Sequence, residues 1–387
     1  MATETASVPP TMKAWLWTDA TGGLEKNLYR SDSATRPGQT LHKDQVLVQV
    51  ISTSLNPADY KVPEMGLVLK LAVSTPASPG LDFCGRVVAT GPAVAAEGHN
   101  GMKPGQLVFG CLNPPLQFGA LAEYVVCPSS VLVPLPEGVD PDHAATIGIA
   151  GQTSYQVIQP QVSEGDHVFI NGGSGGCGIY AIQIAKTLGC HVTVTCSTRN
   201  IELCKDLGAD EVIDYTATDV VQTLKHKGPV FSLVVDMIGT PDDLYRESHH
   251  FLLPGKPFVQ VGVASMVTAA DRLLRPRLLG GGQRPYQVVL FKNRQDHLRQ
   301  LGEWIQQGKI RVVLDSTFEF DDAVKAFEKL RTQRARGKIV VHLLADDLFS
   351  KASDANYRFI HSDHPQRRQH KKHSNVLYEA NVRTGYY

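Results

Sequence analysis

The stretch that most constrains this chain is residues 167–189, H-V-F-I-N-G-G-S-G-G-C-G-I-Y-A-I-Q-I-A-K-T-L-G, where an apolar run meets a glycine cluster and then a helical pattern. The apolar run predicts a strand, and the spacing of Ile179, Ile182 and Leu188 predicts a helix that ends at Gly189. Residues 191–195 then supply a second strand. This order predicts a βαβ unit of a doubly wound parallel sheet.

The turn of this unit satisfies G-x-G-x-x-G at Gly173, Gly175 and Gly178. In this fingerprint the first glycine permits a tight turn, the second lets a pyrophosphate approach the backbone, and the third allows close packing of helix and strand. The free N–H groups of the helix would face the anion. We therefore predict a dinucleotide site; the alternative is a purely structural glycine turn. The predicted phosphate-binding residues are Gly173, Ser174, Gly175, Gly176, Cys177 and Gly178.

Charge and composition exclude several classes of function. The chain has 387 residues, long enough for two domains, and its 38 basic residues balance its 38 acidic ones, which gives no attraction to nucleic acid or to an anionic membrane. We find no apolar run long enough to span a membrane, and the first eleven residues lack the pattern of a secretion signal. We expect a cytosolic protein whose seven cysteines are reduced.

The order of predicted elements divides the chain into two folds. From Met12, short strands at residues 45–51, 85–90 and 107–110 alternate with glycine and proline, which predicts an all-β barrel. After Pro141 strands alternate with helices, including a helix over 242–253. A loop over 273–286, a strand at 287–291, helices over 296–307 and 321–329, and a strand at 338–343 would return the chain to the barrel. We place the barrel domain at 12–147 and 290–344, the dinucleotide domain at 148–289, and a polar, mostly disordered tail at 345–387.

The end of the second strand of the βαβ unit indicates which dinucleotide binds. NAD-binding folds usually place an Asp or Glu there, about twenty residues past the glycines. Here the sequence reads T-C-S-T-R-N, and Ser197 and Arg199 could hold an additional phosphate. Asn200 is a further predicted cofactor-binding residue. We predict NADP(H); the alternative is that Arg199 is a solvated residue at a helix start. The ring of Tyr215 could lie against the adenosine, or could pack in the core.

Several phrases together resemble the medium-chain dehydrogenase/reductase superfamily. Besides the glycine turn they are S-L-N-P-A-D-Y-K-V (54–62), P-G-L-D-F-C-G-R-V (79–87), G-A-L-A-E-Y (119–124) and R-G-K-I-V-V (336–341). The resemblance covers residues 12–344 and implies a GroES-like barrel with an inserted Rossmann domain. Within the superfamily the chain is similar to the zinc-free quinone oxidoreductase and enoyl reductase branch, including the trans-acting enoyl reductases of fungal polyketide pathways.

The same resemblance argues against a metal. Zinc-dependent members place a cysteine early in the barrel and a Gly-His-Glu after it, because zinc prefers thiolate, imidazole and carboxylate ligands. Residues 56–61 contain no thiol, Gly80-Leu81-Asp82 contains no imidazole, and Cys84, Cys111 and Cys127 are too widely spaced for a structural zinc ribbon. The tail histidines at 361, 364, 370 and 373 could bind a metal, but a solvated tail is the simpler interpretation. We predict no metal.

Similarity to the family also implies site residues. Asn56 and Lys61 would line the nicotinamide end, with Lys61 or Tyr60 as proton donor or enolate partner; alternatively, residues 56–61 form a turn in which Asn56 and Asp59 hold the backbone and Lys61 is solvated. Thr153 would lie near the carboxamide of the cofactor, or pack within a helix. Ile238, Gly239 and residues 261–263, with Val261 and Val263, would touch the nicotinamide half. The thiol of Cys177 could have a depressed pKa at the helix start, or be a buried small apolar group.

Three hypotheses follow for function. The first is an NADPH-dependent, metal-free oxidoreductase that reduces an activated C=C bond of an enone, or a quinone, as a monomer or a homodimer. The second is a dedicated enoyl reductase of fungal secondary metabolism that acts on a substrate carried by a polyketide synthase. The third belongs to a different class, a non-catalytic module that only binds NADPH.

Overall fold

The computed structural model describes residues 8–66, 72–97, 102–114, 116–241, 243–262, 270–272, 274 and 281–343, and the backbone of residues 3 and 4. Its strands are β1 (Thr3–Glu4), β2 (Thr11–Leu16), β3 (Tyr29–Thr35), β4 (Thr40–Leu41), β5 (Gln45–Leu55), β6 (Asp82–Thr90), β7 (Leu107–Cys111), β8 (Tyr124–Pro128), β9 (Leu132–Pro134), β10 (His167–Asn171), β11 (His191–Cys196), β12 (Glu211–Asp214), β13 (Leu233–Asp236), β14 (Phe258–Val261), β15 (Tyr286–Val289), β16 (Leu314–Glu319) and β17 (Lys338–His342).

The α-helices in the described part of the chain are α1 (Pro57–Lys61), α2 (Pro92–Glu97), α3 (Pro141–Ala145), α4 (Gln152–Ile158), α5 (Gly178–Thr187), α6 (Ile201–Asp206), α7 (Val220–Lys227), α8 (Gln295–Gln306) and α9 (Ala323–Arg331). A π-helical turn (Ile147–Gly151) joins α3 to α4. The 3-10 helices are Leu24–Lys26, Pro63–Met65, Ser129–Val131, Gln159–Gln161, Thr198–Asn200, Arg246–His250 and Phe320–Asp322. None of the described helices is long and apolar enough to cross a membrane.

The predicted βαβ unit forms part of a six-stranded parallel sheet. Its strand order is β12-β11-β10-β13-β14-β15, and the central residues Val168 and Ile170 are fully buried, as expected of a strand covered on both faces. The prediction that the strand near residue 287 returns the chain to the barrel was wrong. Its backbone pairs in parallel with β14, with Gln287 opposite Val259, and so extends this sheet.

The barrel is built around one long strand, β5. Six strands of a seven-stranded sheet follow the order β16-β17-β5-β6-β7-β9, and the seventh, β8, pairs with β5 outside this order. Strands β2 and β3 form a separate antiparallel pair. Alternate residues of β5, Val46, Val48 and Val50, are buried in one apolar cluster. The predicted fold class, a GroES-like barrel with a doubly wound parallel sheet, is therefore confirmed.

The helix predicted over residues 242–253 was wrong in extent, since the described part of it contains only the 3-10 helix Arg246–His250. The backbone past this point bonds instead to Phe231, in the segment that leads into β13. The N–H of Phe231 donates to the carbonyl of Phe251, and the N–H of Leu253 donates to the carbonyl of Phe231 at 2.9 Å. Half of the predicted loop at 273–286, namely 273 and 275–280, and the tail at 345–387 lie outside the described residues. The domain boundaries stay predictions.

Candidate active site

The glycine turn between β10 and α5 is shaped by contacts that exclude side chains. A Cβ on Gly178 would lie 2.1 Å from the carbonyl oxygen of Gly172, and one on Gly173 would lie 2.9 Å from the side chain of Val194. Gly175 differs, because a Cβ there would meet only the oxygen of Gly172, at 3.7 Å. The left-handed residue of the turn is Gly172, with φ 100°, rather than Gly173. Gly175 thus leaves room for a phosphate to approach the backbone.

A cleft of about 610 Å³ lies in front of this turn, at the carboxyl ends of the central strands. This is where ligands bind in open parallel sheets. Seven residues singled out in the sequence line it together: Ser174, Gly175, Ser197, Arg199, Asn200, Tyr215 and Ile238. Tyr215 is 58% exposed, which excludes the alternative that it packs in the core.

Other predicted cofactor residues lie around the cleft rather than on its described lining. Thr153 is buried within α4, and Val261 is half-buried at the end of β14. A Cβ on Gly176 would lie 3.2 Å from Cδ of Lys338. Burial raises the pKa of the half-buried Cys177 thiol, so the depressed pKa considered for it was wrong. Val263 lies outside the described residues.

The end of the cleft beyond β11 contains basic groups from two distant segments. Arg199 donates from Nη2 to the carbonyl of Arg334 at 3.4 Å, and Arg334 lines the same cleft together with Gln333 and Ala335. This segment follows α9, and sequence reasoning missed it. A guanidinium from each side suits a phosphate monoester. The side chains present here fit a phosphorylated dinucleotide.

A buried amide provides a second sign of a ligand. Asn200 donates from Nδ2 to Oγ of Ser174 at 3.0 Å and to Oγ of Ser197 at 3.3 Å. Its Oδ1 is buried and has no hydrogen-bond partner among the described residues. Buried polar atoms are normally satisfied, so an unpaired oxygen on a residue that lines the cleft agrees with a site that binds a hydrogen-bonding ligand.

The barrel side of the site is built around Asn56. Its Nδ2 donates to Oδ2 of Asp82 at 2.8 Å, and its Oδ1 accepts from Nζ of Lys338 at 2.6 Å. Its backbone N–H donates to Oδ2 of Asp59 at 2.6 Å. All four side chains are buried. We call Asn56, Asp59, Asp82 and Lys338 the buried polar cluster.

The buried polar cluster joins the barrel to the dinucleotide fold. Oδ1 of Asp82 accepts from the backbone N–H of Ile149 at 2.8 Å, on the π-helical turn before α4. The residue before Lys338, Gly337, donates its N–H to the carbonyl of Ser174 at 3.1 Å. The cluster therefore lies between the barrel and the glycine turn.

Burial also changes the acidity of the cluster. Removal from water and, after it, the negative charge of Asp82 raise the pKa of Asp59 to about 7, against the lowering effects of the Asn56 N–H, of Lys338 and of the Leu81 N–H. Burial likewise raises the pKa of Asp82. One carboxyl group of the cluster thus titrates near neutral pH.

The predicted catalytic residues Asn56, Tyr60 and Lys61 occupy three different environments. Both ends of the Asn56 amide are bonded inside the buried polar cluster. The buried ring of Tyr60 lies 4.4 Å from the guanidinium of Arg331, and its hydroxyl group hydrogen bonds with Gln333. Lys61 is exposed. The backbone bond to Asp59 and the exposure of Lys61 are what the alternative, a structural turn, predicts.

The donor groups of the barrel do not fit zinc. Residues 56–61 contain no thiol, and in Gly80-Leu81-Asp82 only Asp82 offers a preferred zinc ligand. Within the described ranges no group of three His, Cys, Asp or Glu side chains could hold a metal ion. The absence of a metal stays a prediction.

Comparison with known proteins agrees with this architecture. An alcohol dehydrogenase GroES-like domain profile matches residues 42–137, and a zinc-binding dehydrogenase profile matches residues 207–341. Trans-enoyl reductase pgmF of Aspergillus terreus (strain NIH 2624 / FGSC A1156) is 46% identical over 349 residues, which cover 87% of this chain and 98% of that protein. The chloroplastic NADPH-dependent alkenal/one oxidoreductase of Arabidopsis thaliana is 31% identical over 350 residues, covering 88% of this chain and 82% of that protein.

A solved structure shows the same fold. The quinone oxidoreductase from Coxiella burnetii superimposes with a TM-score of 0.75 at 29% identity, covering 86% of this chain and 99% of that chain. The resemblance drawn from the sequence is therefore confirmed. This chain is an oxidoreductase that belongs to the medium-chain dehydrogenase/reductase superfamily.

Proposed function

We propose that this enzyme uses NADPH, without a metal, to reduce a C=C bond conjugated to a carbonyl group. The observation that carries the proposal is the end of the cleft beyond β11, which we assign to the adenosine: Arg199 bonds to the backbone of Arg334 there, and residues 197–201, directly after β11, contain no carboxylate. The relatives named above, an enoyl reductase and an alkenal/one oxidoreductase, support a conjugated substrate.

The barrel site suits a substrate that is already activated. A site without a Lewis acid polarises a carbonyl only through hydrogen-bond donors, so a conjugated bond is the natural target. When bound, the reduced nicotinamide supplies a hydride for the β-carbon. The protein must hold the nicotinamide and the substrate in the correct relative orientation, which lowers the activation barrier by several kcal/mol. Gly175 and the two arginines would hold the phosphates, and Tyr60 and Lys61 stay our proposals for the proton donor.

The coenzyme preference is tested by binding. Arg199→Ala and Arg334→Ala should each weaken NADPH binding by about 10- to 100-fold, since a charge-assisted hydrogen bond contributes about 1.5–3 kcal/mol, and should leave NADH binding nearly unchanged. Calorimetry with both coenzymes measures this. Arg294→Ala is the matched control, because Arg294 is an exposed arginine paired with Asp296 elsewhere. Equal affinity of the wild type for NADH and NADPH would refute the preference.

The reaction is tested by NADPH oxidation with a panel of simple enones and quinones, with and without a chelator. Turnover that survives the chelator is expected. Tight NADPH binding with no turnover over the whole panel would refute the proposal and favour a non-catalytic NADPH-binding module.

A second candidate is an enoyl thioester presented by the carrier of a polyketide synthase. The 46% identity to a trans-enoyl reductase favours it. A short enoyl thioester should then have a higher kcat/KM than the matching free enone, and still higher when attached to a carrier protein. Faster turnover of the free enone would argue against this candidate.

A further inference from the structure

A small cavity in the barrel has the polar chemistry of a binding site. It lies beside α1 and the start of β6 and holds about 30 Å³, enough for one group the size of a water molecule. Its walls are mostly apolar and include Ala58, Val62, Val73, Leu81 and Leu116. Three polar side chains, Trp17, Asp59 and Ser78, also line it, and the hydroxyl of Ser78 donates to the carbonyl of Pro79 at 3.4 Å.

Trp17 and Asp59 each have a polar atom without a hydrogen-bond partner among the described residues. Nε1 of Trp17 and Oδ1 of Asp59 are buried, and within the part of the chain that the structure describes neither has a hydrogen-bond partner. Each residue is only 3% exposed. Buried polar atoms are normally bonded, and two such atoms on residues of one cavity indicate a group that binds between them.

The charges around Asp59 favour its neutral form. The buried polar cluster contains two carboxyl groups and one ammonium group, so with both carboxyl groups ionised it would hold an uncompensated negative charge away from water. Both oxygens of Asp82 accept hydrogen bonds, from Asn56 and Ile149, which favours its ionised form. The Leu81 N–H favours the ionised form of Asp59. Oδ2 of Asp59 accepts the N–H of Asn56, and Oδ1 has no hydrogen-bond partner within the described residues, which leaves Oδ1 for the proton.

We propose that Trp17 and Asp59 bind the carbonyl oxygen of the substrate, which accepts one hydrogen bond from the indole N–H and one from the carboxylic acid. An apolar pocket with two donors matches a carbonyl group, which has two lone pairs and no hydrogen to donate. This inference rests on the proposed function, since it names the groups that polarise the conjugated carbonyl.

The two donors would act on the charge that the reaction creates. A hydride adds to the β-carbon, the electron pair of the C=C bond shifts, and an enolate forms with its negative charge on the carbonyl oxygen. The two hydrogen bonds stabilise this oxygen. The α-carbon then takes a proton from Tyr60 or Lys61, the donors proposed above, and the carbonyl is restored. Asp59 keeps its proton throughout, while NADPH is oxidised to NADP⁺ and the C=C bond is reduced.

Infrared spectroscopy of a bound enone tests this without turnover. The probe is an enone with a ¹³C-labelled carbonyl, bound to the enzyme together with NADP⁺, which cannot donate hydride. Trp17→Phe should move the carbonyl band to higher wavenumber, because one donor is lost. Trp15→Phe is the matched control, since the indole N–H of Trp15 already donates to the carbonyl of Phe320 at 2.7 Å, and its band should equal that of the wild type.

The pH dependence of the carbonyl band in wild type and Asp59→Asn is a second measurement. A purely structural role of Asp59 would not change this pH dependence. The wild-type band should shift to higher wavenumber as the pH rises through about 7, where Asp59 loses its proton. In Asp59→Asn the amide N–H donates at every pH, so the band should stay constant. With NADPH present, Trp17→Phe should lower kcat by about 100-fold, the usual effect of removing one oxyanion donor.

Three results would overturn the inference. Equal bands and equal kcat for Trp17→Phe and Trp15→Phe would overturn it while leaving the proposed function intact. A crystal structure of the NADP⁺–enone complex with only a water molecule in the cavity would do the same. An enzyme that binds NADPH but neither binds nor reduces any enone would overturn the proposed function and this inference together.

Discussion

The substitution Asp59→Asn should change how the stability of this protein depends on pH. Asp59 is buried in the barrel, and its pKa is raised from 3.8 to about 7 by burial and by the neighbouring Asp82. The folded chain therefore binds a proton at this site that the unfolded chain has already released between about pH 4 and 7. Stability is highest at low pH and decreases as the pH rises through the folded pKa. Asparagine keeps the acceptor for the Asn56 N–H and does not titrate.

The size of the effect follows from the two pKa values. The difference between about 7 and 3.8 corresponds to a free energy on the order of 4 kcal/mol, because one pKa unit is about 1.36 kcal/mol. Most of this change in the free energy of unfolding occurs in an experimentally accessible pH range. Between pH 5 and pH 8 the linkage relation gives a loss of roughly 2.5 kcal/mol in the free energy of unfolding of the wild type relative to Asp59→Asn.

Urea unfolding of both proteins at a series of pH values measures this difference, with refolding from urea as the check on reversibility. The difference between the two proteins isolates Asp59, since Asp82 and Lys338 are present in both. Asp296→Asn is the control. A hydrogen bond from Arg294 lowers the pKa of the surface group Asp296 to about 2, so it is ionised throughout this range in both states. Parallel pH profiles for wild type and Asp59→Asn would refute the reasoning.

Three further predictions concern the glycine turn and its surroundings. Gly178→Ala should unfold or strongly destabilise the protein, because its Cβ would lie 2.1 Å from the Gly172 oxygen. Gly175→Ala should keep the thermal midpoint of the wild type and weaken NADPH binding. Equal thermal midpoints for the two variants would contradict this prediction. Arg331→Leu should lower the free energy of unfolding by about 2 kcal/mol, since it leaves the buried carboxylate of Glu25 without its ion pair, and a change too small to measure in urea would contradict it. Because burial raises the pKa of Cys177, iodoacetamide should label it more slowly at neutral pH than a free cysteine, and rapid labelling located by peptide mapping would contradict this.

The dinucleotide half of the site could be predicted because the residues that form it are close together in the sequence. Residues 167–189 contain a strand, a turn and a helix in one continuous segment, and the structure forms β10, the glycine turn and α5 from them. Arg334 and Lys338 could not be assigned in the same way. They reach the cleft and the glycine turn only because β17 pairs with β5, and no local pattern encodes a pairing between strands so far apart in the chain.

For the barrel half of the site, the sequence identified the right segment, residues 56–61, but not the roles of its individual side chains. Residues 56–61 offer several side chains with useful chemistry, and α1 is too short for periodicity to show which of them face inward. Only packing separates them: Asp59 points into the buried polar cluster, Tyr60 lies beside Arg331, and Lys61 is exposed. The acidity of Asp59 then depends on Asp82 and Lys338, which come from two other strands. In a short helix of this kind, the tertiary environment rather than the residue type decides which side chain can hold a proton at neutral pH, and the pH profile of Asp59→Asn is therefore a direct test of this half of the site.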